Sequence, residues 1–127
     1  MKRKHTIHFS EAETYSPPRH TGTLNYRLAG KGGGLATENL EIVLGELQKG
    51  AEAEYHYHKD SEQAIFILEG RCTLAFQDGT QEEAGKDDLV ILPKGFGHRV
   101  VVTSEKFRGV IIYSPKLKEG DIIPFGK

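Results

Sequence analysis

Helical periodicity is almost absent from this chain, and that constrains its fold more than any other feature. The apolar residues come instead in short runs cut by Gly, Pro and Asp. The runs cover residues 23–28, 40–47, 52–58, 64–68, 71–76, 80–83, 89–92, 98–103 and 107–113. In the first, Leu24, Tyr26 and Leu28 share a face; in the second, Leu40, Ile42 and Leu44 recur at period two. Lys31-Gly32-Gly33-Gly34 reads as a flexible loop. Asp78-Gly79 is a hairpin signal, because glycine accepts a positive φ. Roughly ten short strands at this spacing predict an all-β fold, a small antiparallel sandwich or barrel. The one helical signature is a capping box at Ser10-Glu11-Ala12-Glu13, and Pro17 and Pro18 would stop any helix there.

The 127 residues make one domain, with 15 glycines to serve the turns. A chain of this size buries about two-thirds of its unfolded surface, enough for a real core. Residues 1–22 read as an N-terminal arm, 23–113 as the barrel, and 114–127 as a tail packing on the barrel or on a partner. The 17 basic and 18 acidic residues nearly cancel, which argues against nucleic-acid binding. No apolar run is long enough to span a membrane, and no apolar stretch follows the charged start Met1-Lys2-Arg3-Lys4-His5. Cys72 is the only cysteine, so neither a disulfide framework nor a cysteine zinc site is expected. A cytoplasmic protein is the simplest expectation.

The chemistry concentrates in Gly50-Ala51-Glu52-Ala53-Glu54-Tyr55-His56-Tyr57-His58. Alternate side chains of a strand share a face, so His56 and His58 point one way and Tyr55 and Tyr57 the other. Two imidazoles so placed reach one metal ion; the bland alternative is two unrelated surface histidines. Gln63 opens the next apolar strand, and a hairpin returns it beside His58. His98 follows the tight turn Pro93-Lys94-Gly95-Phe96-Gly97. Imidazole with an amide or carboxylate oxygen is an ordinary donor set for first-row metals, and it leaves coordination positions open.

These segments resemble the two motifs of the cupin superfamily. The first reads Gly50, five residues, His56, Tyr57, His58, four residues, Gln63, six residues, Gly70. The second reads Asp87, five residues, Pro93, Lys94, Gly95, two residues, His98, three residues, Val102. The resemblance implies a double-stranded β-helix, jelly-roll-like barrel, usually dimeric. It also implies one divalent ion per chain (Fe, Mn, Ni or Zn) on His56, His58, Gln63 and His98. Three positions depart from the family pattern: Gln63 stands for a glutamate, Asp87 for a turn glycine and Val102 for an asparagine. Glu62 is the alternative to Gln63, but that register would turn Ala64 and Phe66 inward instead of Ile65 and Ile67.

Outside the motifs, His5, His8 and His20 read as surface or arm residues, and Cys72 as a buried inert thiol. Residues 15–20 form an extended arm, lying on its own barrel or crossing to a partner. Arg27 and Arg108 are candidates to face the barrel interior and bind an anion. Phe96 and Tyr57 are candidates for the pocket mouth, core packing being the plainer role. Glu62, Glu69 and Tyr55 are general-base candidates only by lying near the motif. The function these features imply is that of a metal-binding cupin, an oxygenase, isomerase or lyase acting on a small molecule bearing a carboxylate or hydroxyl. The alternative is a non-catalytic cupin that binds or senses a sugar or organic acid. The fold hosts many chemistries, so the reaction is not read from it.

Overall fold

The computed structural model describes residues 3–124; residues 1–2 of the arm and 125–127 of the tail lie outside the described residues. A short 3-10 turn, Phe9–Glu11, precedes ten strands. They are β1 (Thr14–Tyr15), β2 (His20–Ala29), β3 (Glu41–His58), β4 (Glu62–Glu69), β5 (Arg71–Phe76), β6 (Gln81–Gly85), β7 (Leu89–Leu92), β8 (His98–Val102), β9 (Lys106–Ser114) and β10 (Ile122–Pro124). The capping box forms two residues earlier than its spacing suggests. The His8 side chain accepts from the Ser10 backbone, and Glu11 reaches back to the His8 N–H. Pro17 and Pro18 follow, and the chain goes on as strand rather than helix.

The two runs at 40–47 and 52–58 form a single 18-residue strand, β3. The chain stays extended past Gly50, which takes φ +81, because β3 changes partners rather than direction. Its first half pairs with β9, from Glu41↔Tyr113 to Gln48↔Lys106. Its second half pairs with β8, ending at His56↔His98. β3 thus belongs to both faces of the barrel. On one face the order is β3-β9-β4-β7; on the other it is β3-β8-β5-β6, and β2 and β10 complete the wall against β3. The result is a nearly closed, all-β, jelly-roll-like barrel.

Alternation fills its interior. β4 runs in the register that turns Gln63, Ile65 and Ile67 inward and leaves Glu62 and Phe66 exposed. Leu74, Leu92, Val102 and Phe107 join Ile65, Ile67 and Cys72 in one apolar cluster. Asp87, at the position where the family motif has glycine, takes φ +72. Aspartate tolerates that left-handed conformation better than most side chains, so it replaces the glycine without remaking the turn. Gly70 has no such substitute. At φ +95 an added Cβ would collide with the Lys106 carbonyl oxygen.

β2 runs opposite to its apolar pattern. Thr23 and Asn25 face inward and are buried, while Leu24 is exposed and Tyr26 and Leu28 are half-buried. The outer face offers shelter of its own: Phe9 packs edge-on against Tyr26 at 5.3 Å between centroids. Arg27 and Arg108 do not enter the barrel. Arg27 stacks on Tyr15 and pairs with Glu13, and Arg108 pairs with Glu46. The arm pairs β1 with β2, and the tail pairs β10 with the end of β3, Ile122 opposite His58.

Candidate metal centre

Three local devices bring the histidines together. The pleat of β3 turns His56 and His58 inward, where they are 3% and 2% exposed. The β3–β8 ladder sets His98 directly across from His56, with ring centroids 4.5 Å apart. The turn before β8 is tied to the end of β3, since the Gly95 N–H donates to the His58 carbonyl at 2.8 Å. The His56 and His58 rings lie 5.0 Å apart, and one nitrogen from each of the three imidazoles falls within 4.8 Å of the others.

Each ring is oriented through Nδ1. His56 donates to the Glu54 carbonyl at 2.6 Å and His98 to that of Phe96 at 3.1 Å. His58 Nδ1 lies 3.3 Å from Asp121 Oδ2. A proton held at Nδ1 leaves the lone pair on Nε2. His58 Nε2 is buried with no hydrogen-bond partner, and so is Gln63 Oε1, which faces the same ring. Burial outweighs these Nδ1 acceptors and favours the neutral rings. It pushes His98 down to about 3, with the nearby His56 adding to the effect, and His56 down to about 4, opposed by the Glu54 carbonyl. Burial lowers His58 too, partly offset by the Asp121 carboxylate. Neutral imidazoles with free Nε2 lone pairs, beside an unpartnered amide oxygen, are the donor set a divalent cation takes.

The four residues named by the motif spacing are thus gathered, and the strand register excludes Glu62, which is exposed. Two further residues escaped the sequence reading. His20, read as a surface or arm residue, is half-buried at the start of β2 and lies on the wall of the interior void, its ring 5.8 Å from that of His56. Its Nδ1 is held by the Pro18 carbonyl at 2.8 Å. Arg19 at φ +61 and Gly22 at φ +65 flank the bend that aims it. Asp121 is 2% exposed; it accepts from the Asp60 N–H at 2.6 Å and orients His58. No motif marks it, because 63 residues separate it from that histidine.

Below the histidines lies a narrow void of about 50 Å³, walled mostly by aliphatic side chains such as Ile65, Leu74, Val100 and Ile111. None of the residues lining it is Asp or Glu, and Glu69 is exposed. Cys72 is buried there with its thiol pushed up to about 11, which makes it a poor nucleophile. Phe96 stacks on Phe76 at 5.6 Å and so packs as part of the rim.

A family model described as a cupin domain matches residues 43–113, more than half of the chain. A curated relative, the uncharacterized protein YdbB of Bacillus subtilis (strain 168), is 33% identical over 48 residues, which is 38% of this chain and 42% of that protein. The chain therefore spans about two fifths of that relative's length. Among solved structures, the polyketide cyclase RemF from Streptomyces resistomycificus superposes with a TM-score of 0.79 at 21% identity, over 100% of this chain and 87% of the other. The nucleoside dehydratase Pac13 from Streptomyces superposes with a TM-score of 0.75 at 15% identity, over 94% of this chain and 89% of the other. At these identities the two structures share the fold.

Proposed function

The chain belongs to the cupin domain family, and from that premise we propose that it is a metal-dependent enzyme acting on a small organic molecule with a carboxylate or hydroxyl oxygen. The observation that carries this reading is the geometry of the three imidazoles: buried, held through Nδ1, with one nitrogen of each within 4.8 Å of the others. One divalent ion per chain, on His56, His58, His98 and the Gln63 amide oxygen, would supply Lewis acidity toward a ligand oxygen, as isomerase, lyase or oxygenase chemistry requires. Gln63 contributes no charge, so the donor set leaves the full dipositive charge to attract an anionic ligand. Asp121 holds the His58 ring in place through Nδ1. The mostly aliphatic wall lowers the local dielectric and so strengthens electrostatic contacts inside. His20, with Nδ1 engaged and Nε2 free, is the residue placed to take a proton from a bound ligand. Similarity to a polyketide cyclase and a nucleoside dehydratase supports an enzymatic role on this fold.

The absence of Asp and Glu from the void wall favours a second reading, a cupin that binds a small acid or sugar without turnover. A homodimer belongs to either reading. Leu89 and Ile91, 61% and 52% exposed on the outer face, and their neighbour Phe66 on β4 support it.

Metal content measured on protein purified without a histidine tag or chelator tests the proposal. About one equivalent of a divalent ion is expected, lost on His98→Ala. No metal under any loading condition sinks both metal readings. Metal with tight acid binding but no turnover of any hydroxy or oxo acid selects the second.

A further inference from the structure

Three buried acceptor atoms have no hydrogen-bond partner among the described residues: His58 Nε2, Gln63 Oε1 and Asn25 Oδ1. The first two belong to the candidate metal centre. The third lies on β2, on another part of the same void. Asn25 is 3% exposed, and its Nδ2 donates to the Tyr15 hydroxyl at 3.3 Å, which turns Oδ1 away from the arm. A buried acceptor left unpaired costs free energy that an apolar side chain in its place would not.

The immediate surroundings of Oδ1 are apolar and tightly packed. Asn25 pairs with Gly45 across the β2–β3 ladder, and Gly45 pairs with Gly109 across β3–β9. Two adjacent inward positions thus carry no side chain. A Cβ on Gly45 would lie 3.1 Å from Asn25 Oδ1, 3.1 Å from Ile111 Cδ1 and 3.3 Å from Leu47 Cδ1. The close approach that Gly45 permits is that of Leu47, Ile111 and the Asn25 amide themselves, so a side chain there would crowd Oδ1. Asn25, Leu47 and Ile111 line the void together with His56, Gln63 and His98.

We propose that Asn25 Oδ1, buried and unpaired on the wall of the void, receives a hydrogen-bond donor of the ligand, a hydroxyl or amino hydrogen, while an oxygen of the same ligand meets the histidine end. This rests on the metal reading for the second contact only. It narrows the ligand to compact molecules with an acidic or carbonyl oxygen at one end and a donor at the other, such as short hydroxy acids. An inward polar residue on β2, where the apolar pattern favours Leu24 and Tyr26, fits a strand that reads the ligand.

The test uses full-length protein, zinc-loaded and metal-free, titrated by calorimetry with propionate, 2-hydroxypropionate and 3-hydroxypropionate. The native protein is expected to bind one hydroxy acid at least about tenfold more tightly than propionate, a factor in the range of one hydrogen bond. Asn25→Val and Asn25→Ala are each expected to cut that preference below about threefold with zinc affinity unchanged. A preference due to the hydroxyl binding zinc directly would survive both substitutions. Asn25→Val removes the unpaired acceptor together with the Nδ2 bond to Tyr15, two opposing effects, so Tm should change little. The subsite is overturned if the native protein shows no preference or binds none of the three acids. It is also overturned if the preference survives in the Asn25 variants, or if they lose zinc. Zinc held by the native protein and lost from His98→Ala, without a hydroxyl preference, removes the role of Asn25 and leaves the metal reading standing. Should zinc fail to bind, the metal-free titration still reads the preference.

Discussion

Acidifying the metal-free protein from pH 7 to pH 5 is expected to remove about 4 kcal/mol of folding stability through His56 and His98 alone. Both are neutral in the fold, with pKa values near 4 and 3, whereas an unfolded histidine titrates at 6.5. Below 6.5 the unfolded chain gains protons that the folded one refuses, so stability falls as pH falls. At pH 5 each site has lost about 1.5 pH units at 1.36 kcal/mol per unit, or about 2 kcal/mol. At that pH both imidazoles are still uncharged in the fold, so their mutual repulsion does not enter the sum. The loss continues to about pH 4 for His56, where the folded form begins to take its own proton. Carboxylates held low, such as Glu52 beside Arg99, act below the ordinary glutamate value of about 4.5, outside this window. A loss of about 4 kcal/mol is a large share of the 5–15 kcal/mol typical of a domain. Urea unfolding in EDTA at pH 7, 6 and 5 reads it, with a midpoint shift of about 2 M for a slope near 2 kcal/mol/M. His56→Gln/His98→Gln should remove at least half of the pH dependence, the remainder belonging to His58 and His20, which burial also lowers. A native midpoint constant within about 0.5 M from pH 7 to 5, or an undiminished slope in the double variant, would refute the buried, neutral cluster.

Gln63→Glu is nearly isosteric and adds a negative charge to the donor set; metal should bind more tightly and small carboxylic acids more weakly, both by calorimetry. Asp121→Asn should weaken metal binding about 10- to 100-fold, the usual effect of losing the partner that orients a ligating histidine. Ile91→Glu places a charge among the exposed side chains of β7 and β4; light scattering should show the native chain as the proposed dimer and this variant as a monomer, with circular dichroism unchanged.

Much of the centre is legible in the chain. The His-x-His pair needs only the two-residue period of a strand. The Pro93–Gly97 turn marks the start of the strand carrying His98, and the parity of Ile65 and Ile67 selects Gln63 over Glu62. β2 is the counterexample. Its apolar alternation points Leu24, Tyr26 and Leu28 inward, yet Thr23 and Asn25 take that side. Hydrophobic parity works when one face meets water. Here the outer face lies partly under the arm, with Phe9 on Tyr26, and the inner face meets a void lined also by His56, Gln63 and His98.

What the sequence determined by itself is therefore local: the strand period, the turns, and three histidines with Gln63 at spacings that a barrel can gather. What tertiary structure decided is which distant groups complete them. Asp121 reaches His58 only because β10 returns antiparallel along β3, and His20 and Asn25 line the void only because β2 lies against β3 in one register of two. Such contacts join residues tens of positions apart, and a periodicity of two carries no information about which strands will be neighbours or which face of each will be covered.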